Sequence, residues 1–176
     1  MAARAGLGGS SPQRIASYLV AVRPILGHAM RGWDTWIQRI GALMEDVRHG
    51  SPSLVALRAG RIGREQAATF REARSQVERL QPPPSCVACQ HALTKWLDSL
   101  IEACEILIAV GASGDLRRIR EIRDHLAAGR VHARSFNGEY ARLADELRER
   151  VAAARSSPAR ARRGRASQRQ AASALA

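Results

Sequence analysis

Residues 12–47 read PQRIASYLVAVRPILGHAMRGWDTWIQRIGALMEDV. Within this stretch Ile15, Leu19, Val22, Leu26, Ala29, Trp33, Ile37, Ile40, Met44 and Val47 recur at spacings of three and four. At about 100° per residue they line up along one side of a helix, with Trp36 and Leu43 at the edge of the stripe. Ser11 stands as an N-cap before Pro12 at the first helical position, and Pro24 predicts a kink or a shifted start. A helix with so long an apolar stripe needs neighbours to cover it.

The rest of the chain supplies three. Ser51-Pro52 repeats the capping signal, Pro82-Pro83-Pro84-Ser85 stops one helix and caps the next, and Gly111-Ala112-Ser113-Gly114-Asp115 reads as a C-cap and turn. The helices implied are 12–49, 52–80, 86–110 and 115–154, joined by short connections suited to antiparallel neighbours. The fourth carries Ile119, Ile122, Leu126, Ala133, Phe136, Tyr140, Leu143, Leu147 and Val151 on one line. The second carries a thinner stripe: Val55, Ala59, Ile62, Gln66, Phe70, Ala73, Val77 and Leu80. Gln66, polar at the centre of that stripe, could set helix register, line a small cavity beside Ala59, Gly63 and Ala73, or mark a less buried helix; the last is favoured, since polar side chains usually stay wet.

The fold class expected is all-α, an up-down-up-down four-helix bundle whose first and fourth helices are longer than the other two. Residues 1–11 form a flexible N-terminus, 12–154 the bundle, and 155–176 a disordered basic tail. Unequal lengths further predict that the start of helix 1 and the end of helix 4 project past the triproline turn as a two-helix extension.

Composition agrees with helices. Hydrophobic residues make up 45% of the 176-residue chain and aromatics 4%, whereas β-structure favours aromatic and β-branched residues. The net charge of +12 rests on 27 arginines and one lysine, Lys95, a ratio that codon usage can produce as readily as selection for guanidinium chemistry and that carries no functional signal here. No stretch approaches a transmembrane helix and no signal-peptide core follows the Gly/Ser/Ala-rich start, so the expected location is cytoplasmic, with no membrane partner. Three cysteines fit reduced thiols better than a disulfide framework.

Cys86-Val87-Ala88-Cys89-Gln90-His91 is the most suggestive string for chemistry. A Cys-x-x-Cys at a helix start suits redox or zinc sites. On a helix, however, Cys86, Cys89, Leu93, Trp96, Leu100, Cys104 and Leu107 share one apolar face, and His91 points away from it. Packing is the favoured role for the three thiols, with Cys86, Cys89 and Cys104 kept as the only metal-ligand candidates. Asp98, Glu102 and Glu105 align opposite the core stripe and read as a solvated acidic ridge. No Glu-x-x-His of the di-iron bundle type occurs, and Glu121 and His125, four apart, suit an exposed pair on one helix. No phosphate-cradling glycine loop or nucleophile elbow is present. The chain is therefore expected to be non-enzymatic and without a cofactor.

The tail holds Arg155, Arg160, Arg162, Arg163, Arg165 and Arg169 with no acid, half of the net charge. Such a segment can neutralise phosphates in a sequence-blind way, although it lacks aromatics for base stacking.

Leu80-Gln81-Pro82-Pro83-Pro84, followed by His91, Leu93 and Leu97, resembles the helix joint of uncharacterised bacterial all-helical domains. In those a proline pair closes one helix and the next opens with a His-x-x-Leu-like run. The resemblance covers about twenty residues and implies a helical fold but no activity. Many members carry a signal and a lipobox cysteine, which this chain lacks, so their location does not transfer.

The function expected is that of a helical-bundle interaction or structural protein, with a protein partner or a second copy of itself. The alternative is a nucleic-acid accessory protein using the arginine tail. The third is a metal or redox protein using the cysteines of helix 3.

Overall fold

The computed structural model describes the backbone of residues 10–173 and the side chains of residues 10–155. It is all-helical, with four long helices: α1 (Pro12–His49), α2 (Pro52–Arg79), α3 (Val87–Ser113) and α4 (Ile122–Ser173). Short 3-10 turns at Pro84–Cys86 and Leu116–Glu121 lead into α3 and α4. Successive helices run antiparallel. The expected disordered tail falls on 155–176, where the described side chains end at Arg155. Arg160, Arg162, Arg163, Arg165 and Arg169 thus lie outside the described side chains, as residues 1–9 lie outside the described chain.

Local chemistry sets the ends. The Ser11 hydroxyl accepts from the Arg14 N–H at 3.3 Å, capping α1, whereas the Ser51 side chain makes no cap bond. No side chain caps α3 either, so Ser85 does not play the role its position suggested. Gly114, in the left-handed region at φ +73°, ends α3, and its N–H donates to the Val110 carbonyl at 2.8 Å. Asp115 then caps the next turn by accepting from the Arg117 N–H at 3.1 Å. Gly111 belongs to the body of α3, not to the turn.

The core is continuous through all four helices, from Ile15 and Val22 of α1 through Phe70, Leu97 and Leu107 to Leu143 of α4. Burying each such side chain contributes about 1.5–3 kcal/mol. The interfaces are unequal. α2 and α3 share the most extensive one, and of the four neighbouring pairs α1 and α4 meet least.

Small residues explain the tight pair. Gly60 and Gly63 of α2 press on α3. A Cβ on Gly63 would lie 2.6 Å from the Cys104 carbonyl oxygen, and one on Gly60 would lie 3.0 Å from the Cα of Gly111. The thin stripe of α2 therefore marks close backbone approach, not exposure. Gln66 is buried, and its Oε1 has no hydrogen-bond partner.

The expected two-helix extension is not formed by α1. Ser10, just before it, is buried, and its Oγ accepts from the Ser85 N–H at 3.3 Å while its carbonyl accepts from Arg150 at 2.9 Å. The start of α1 is thus pinned level with the joint between α2 and α3. The extra length of α1 runs beside the triproline segment, which extends the chain without forming a helix: Gln13, Ser17 and Ala21 line a depression with Leu80 and Pro83.

Candidate functional site

The core line of α1 is rotated from the one its sequence suggests. Trp36 and Leu43 are fully buried, and Trp36 packs edge-on against Phe70 of α2 with ring centroids 5.9 Å apart. Ile37, Met44 and Val47, expected in the core, are 38% exposed, and Met30 beside them is 41% exposed. The cause is that α1 turns towards α2, the partner it packs against far more than α4.

Ion pairs follow the same asymmetry. Arg39 with Glu65, and Arg58 with Asp46, join α1 to α2. Arg71 with Glu105 (2.9 Å) and Arg74 with Asp98 (2.5 Å) join α2 to α3, while Glu102 meets His125 at 3.0 Å between α3 and α4. The carboxylates expected to form a solvated ridge are therefore interhelical clasps, and His125 reaches α3 while Glu121 pairs with Arg118. Among the described residues no ion pair joins α1 to α4.

The α1/α4 seam is open as a result. Over its lower half Leu26, Met30 and Trp33 of α1, Trp96 and Leu100 of α3, and Leu126, Gly129, Ala133 and Phe136 of α4 line a cavity of about 390 Å³. Arg130 and Asn137 provide its polar edge. Gly129 is buried in the floor, where a Cβ would make ordinary contacts of 3.5 Å with Ser99 and 3.7 Å with Trp96. Farther along, Met44, Val47 and Arg48 of α1 face Leu116, Ile119 and Arg120 across a second depression. The two depressions follow the same edge of α1, with the exposed Ile37 between them and an arginine at the margin of each. Sequence periodicity placed Trp33, Trp96 and Phe136 on core stripes and missed Met30. The legible signal was the length of the stripes on α1 and α4, more than a short bundle can cover.

The thiols sit elsewhere. Cys86, Cys89 and Cys104 are buried and free. Burial first, then the neighbouring Cys86, pushes Cys89 up to about 12; burial likewise pushes Cys104 up to about 12. Cys86 is raised for the same reason, partly offset by the Ser85 hydroxyl and Arg142. Cys89 and Cys104 stand ~22 Å apart along α3 at 1.5 Å per residue, so the helix does not bring the three to one point. Among the described residues no group of three histidines, cysteines or acids is gathered to hold a metal. His91 is exposed, whereas the Nε2 of His28 is buried without a partner. Arg155, the first arginine of the tail, is exposed.

No helix among the described residues is long and apolar enough to cross a membrane. No family model, curated protein or solved structure matches the chain.

Proposed function

We propose that this protein is a non-enzymatic docking module that receives a segment of another polypeptide in the open seam between α1 and α4. One observation carries this reading. Met30, Ile37, Met44 and Val47 leave an apolar edge of α1 wet, facing apolar positions of α4 and of the Leu116–Glu121 turn across depressions that no ion pair bridges among the described residues. Large exposed apolar strips rimmed by polar groups are typical of interaction surfaces, and a groove between helices suits an amphipathic segment. The buried reduced thiols accord with a reducing compartment, and we place the protein in the cytoplasm.

Photocrosslinking tests the seam in the organism that makes the protein. A crosslinking amino acid at Met30, Ile37 or Met44 should give one discrete heterologous adduct, while the same group at Arg61 on the outer face of α2 gives none. Equal adducts from both faces, or none from either, would reject the proposal.

A second reading rests on the arginines of 155–169, which no acid offsets. It requires nucleic-acid binding at low salt that falls steeply with added salt and disappears when residues 155–176 are removed. Salt-independent binding, or binding that survives the deletion, would count against it.

A further inference from the structure

We infer that the occupant of the α1/α4 groove is an acidic amphipathic helix of a partner protein, an inference that rests on the docking function proposed above. The groove has an apolar floor, and its α4 margin is basic. On α4, Arg123, Arg130 and Arg134 fall within about 40° of one another along its outer edge, and Arg130 itself lines the cavity. At the far end Arg48 and Arg120 flank Val47 and Ile119. Arg120, Arg123, Arg130 and Arg134 are exposed and form no ion pair among the described residues, while most other arginines of the bundle are spent on clasps between or within helices. The opposing charges at this edge of α1 are Asp34 and Glu45, and Glu45 already pairs with Arg48 at 2.9 Å.

Shape points to a helix. From Leu26 to Val47 the two depressions and the exposed Ile37 between them span ~30 Å along α1 at 1.5 Å per residue, the length of a helix of about 20 residues. Anchors at i, i+3 or i+4, and i+7 on such a helix would meet the Trp33–Trp96–Phe136 cavity first and the Met44–Leu116 depression last. A small ligand would fill the cavity and leave Ile37, Met44 and Val47 exposed. A nucleic acid would use the arginines and leave the apolar floor wet. A second copy of this chain would set one arginine margin against another at a net charge of +12, a like-charge arrangement that costs affinity. Carboxylates flanking an apolar stripe match both parts of the surface at once.

The test uses the full chain and two synthetic helical peptides of about 20 residues. Both carry the same leucine and phenylalanine stripe; one is flanked by glutamates and the other by lysines. Fluorescence of Trp33 and Trp96 reports binding. The glutamate peptide should bind at least tenfold tighter at low salt, with the gap narrowing as salt rises. The double variant Arg130→Glu, Arg134→Glu should reverse the preference while leaving the circular dichroism unchanged. Ile37→Glu with Met44→Glu should abolish binding of both peptides. Equal affinity for the two peptides would overturn the acidic assignment. Binding of neither, with seam adducts still formed in the organism, would leave the docking function standing and remove the helical occupant. Binding of neither, with adducts absent or only between copies of the chain, would remove both, and displacement of the peptide by an oligonucleotide at equal charge would show that the margin reads phosphate.

Discussion

Gly60 of α2 and Gly111 of α3 meet backbone to backbone: a Cβ built on Gly111 would lie 2.5 Å from the Cα of Gly60 and 3.2 Å from the Ala56 carbonyl oxygen. The groove on the far side of the bundle follows from this contact. Because α2 and α3 are drawn together, α1 and α4 are each held by one main neighbour, and they approach each other least.

Gly111→Ala should therefore destabilise the protein by about 1–3 kcal/mol, the usual cost of forcing atoms into a packed interface. Gly63→Ala should do the same, since its Cβ would meet the backbone of Cys104 and Ile108. Gly41 and Gly138 are internal controls, with nothing within 4 Å of the Cβ position. Alanine at either should raise stability by about 0.5–1 kcal/mol through helix propensity. Urea unfolding followed by circular dichroism separates the pairs, and a stabilising Gly111→Ala would refute the close approach.

Much of the fold was legible in the sequence because its signals are local. Proline after serine at residues 12 and 52, and the left-handed Gly114, mark helix ends by their own stereochemistry, and the period of the apolar residues gives the helices. What failed was the choice of neighbour. Periodicity assigns a residue to a face but does not say which helix covers that face, so Ile37 and Trp36 were ranked in the wrong order. Small residues were misread for the same reason. Gly63 and Gln66 look like weakness in a single helix and become intelligible only beside α3. The groove was legible only as a surplus, stripes on α1 and α4 longer than a short bundle covers.

Gln66 offers a direct check on that burial. Its Oε1 is buried with no hydrogen-bond partner, and a buried acceptor left unpaired costs about 1–3 kcal/mol. Gln66→Met keeps the length and removes the acceptor, so it should raise the urea midpoint by a gain of about 1 kcal/mol or more. An unchanged or lowered midpoint would mean that the amide is satisfied in solution.

The buried thiols make the protein sensitive to alkali. Burial raises Cys89 and Cys104 from 9.0 to about 12, and raises the Tyr18 hydroxyl, which also feels Cys89 and Cys86. In the unfolded chain these thiols release their protons near pH 9, whereas in the folded chain they hold them to about pH 12. Between those values the unfolded state binds fewer protons, so stability falls as pH rises. The slope is at most about 1.4 kcal/mol per pH unit for each thiol, and the contribution is complete below pH 9. Urea midpoints should be flat towards neutral pH and drop progressively above it, and Cys104→Ala should make that drop shallower. A midpoint that holds through pH 11 would show that the thiols ionise freely in the folded protein.

The last prediction separates a binding surface from a poorly packed core. Ile37 and Met44 lie on the same helix as Trp36, one residue and two turns away, yet they are 38% exposed while Trp36 is fully buried. If the α1/α4 seam closes in solution, polar substitution at all three sites will cost stability. If it stays open, Ile37→Gln and Met44→Gln should each change unfolding free energy by no more than about 0.5 kcal/mol, as at other surface sites. Trp36→Ala should cost about 3–5 kcal/mol by leaving a cavity against Phe70. Large losses at Ile37 and Met44 would make these side chains part of the hydrophobic core and leave no groove to be filled. Small losses there, beside a large one at Trp36, would leave an apolar strip that contributes little to the fold, which is the energetic signature of a surface kept for a partner.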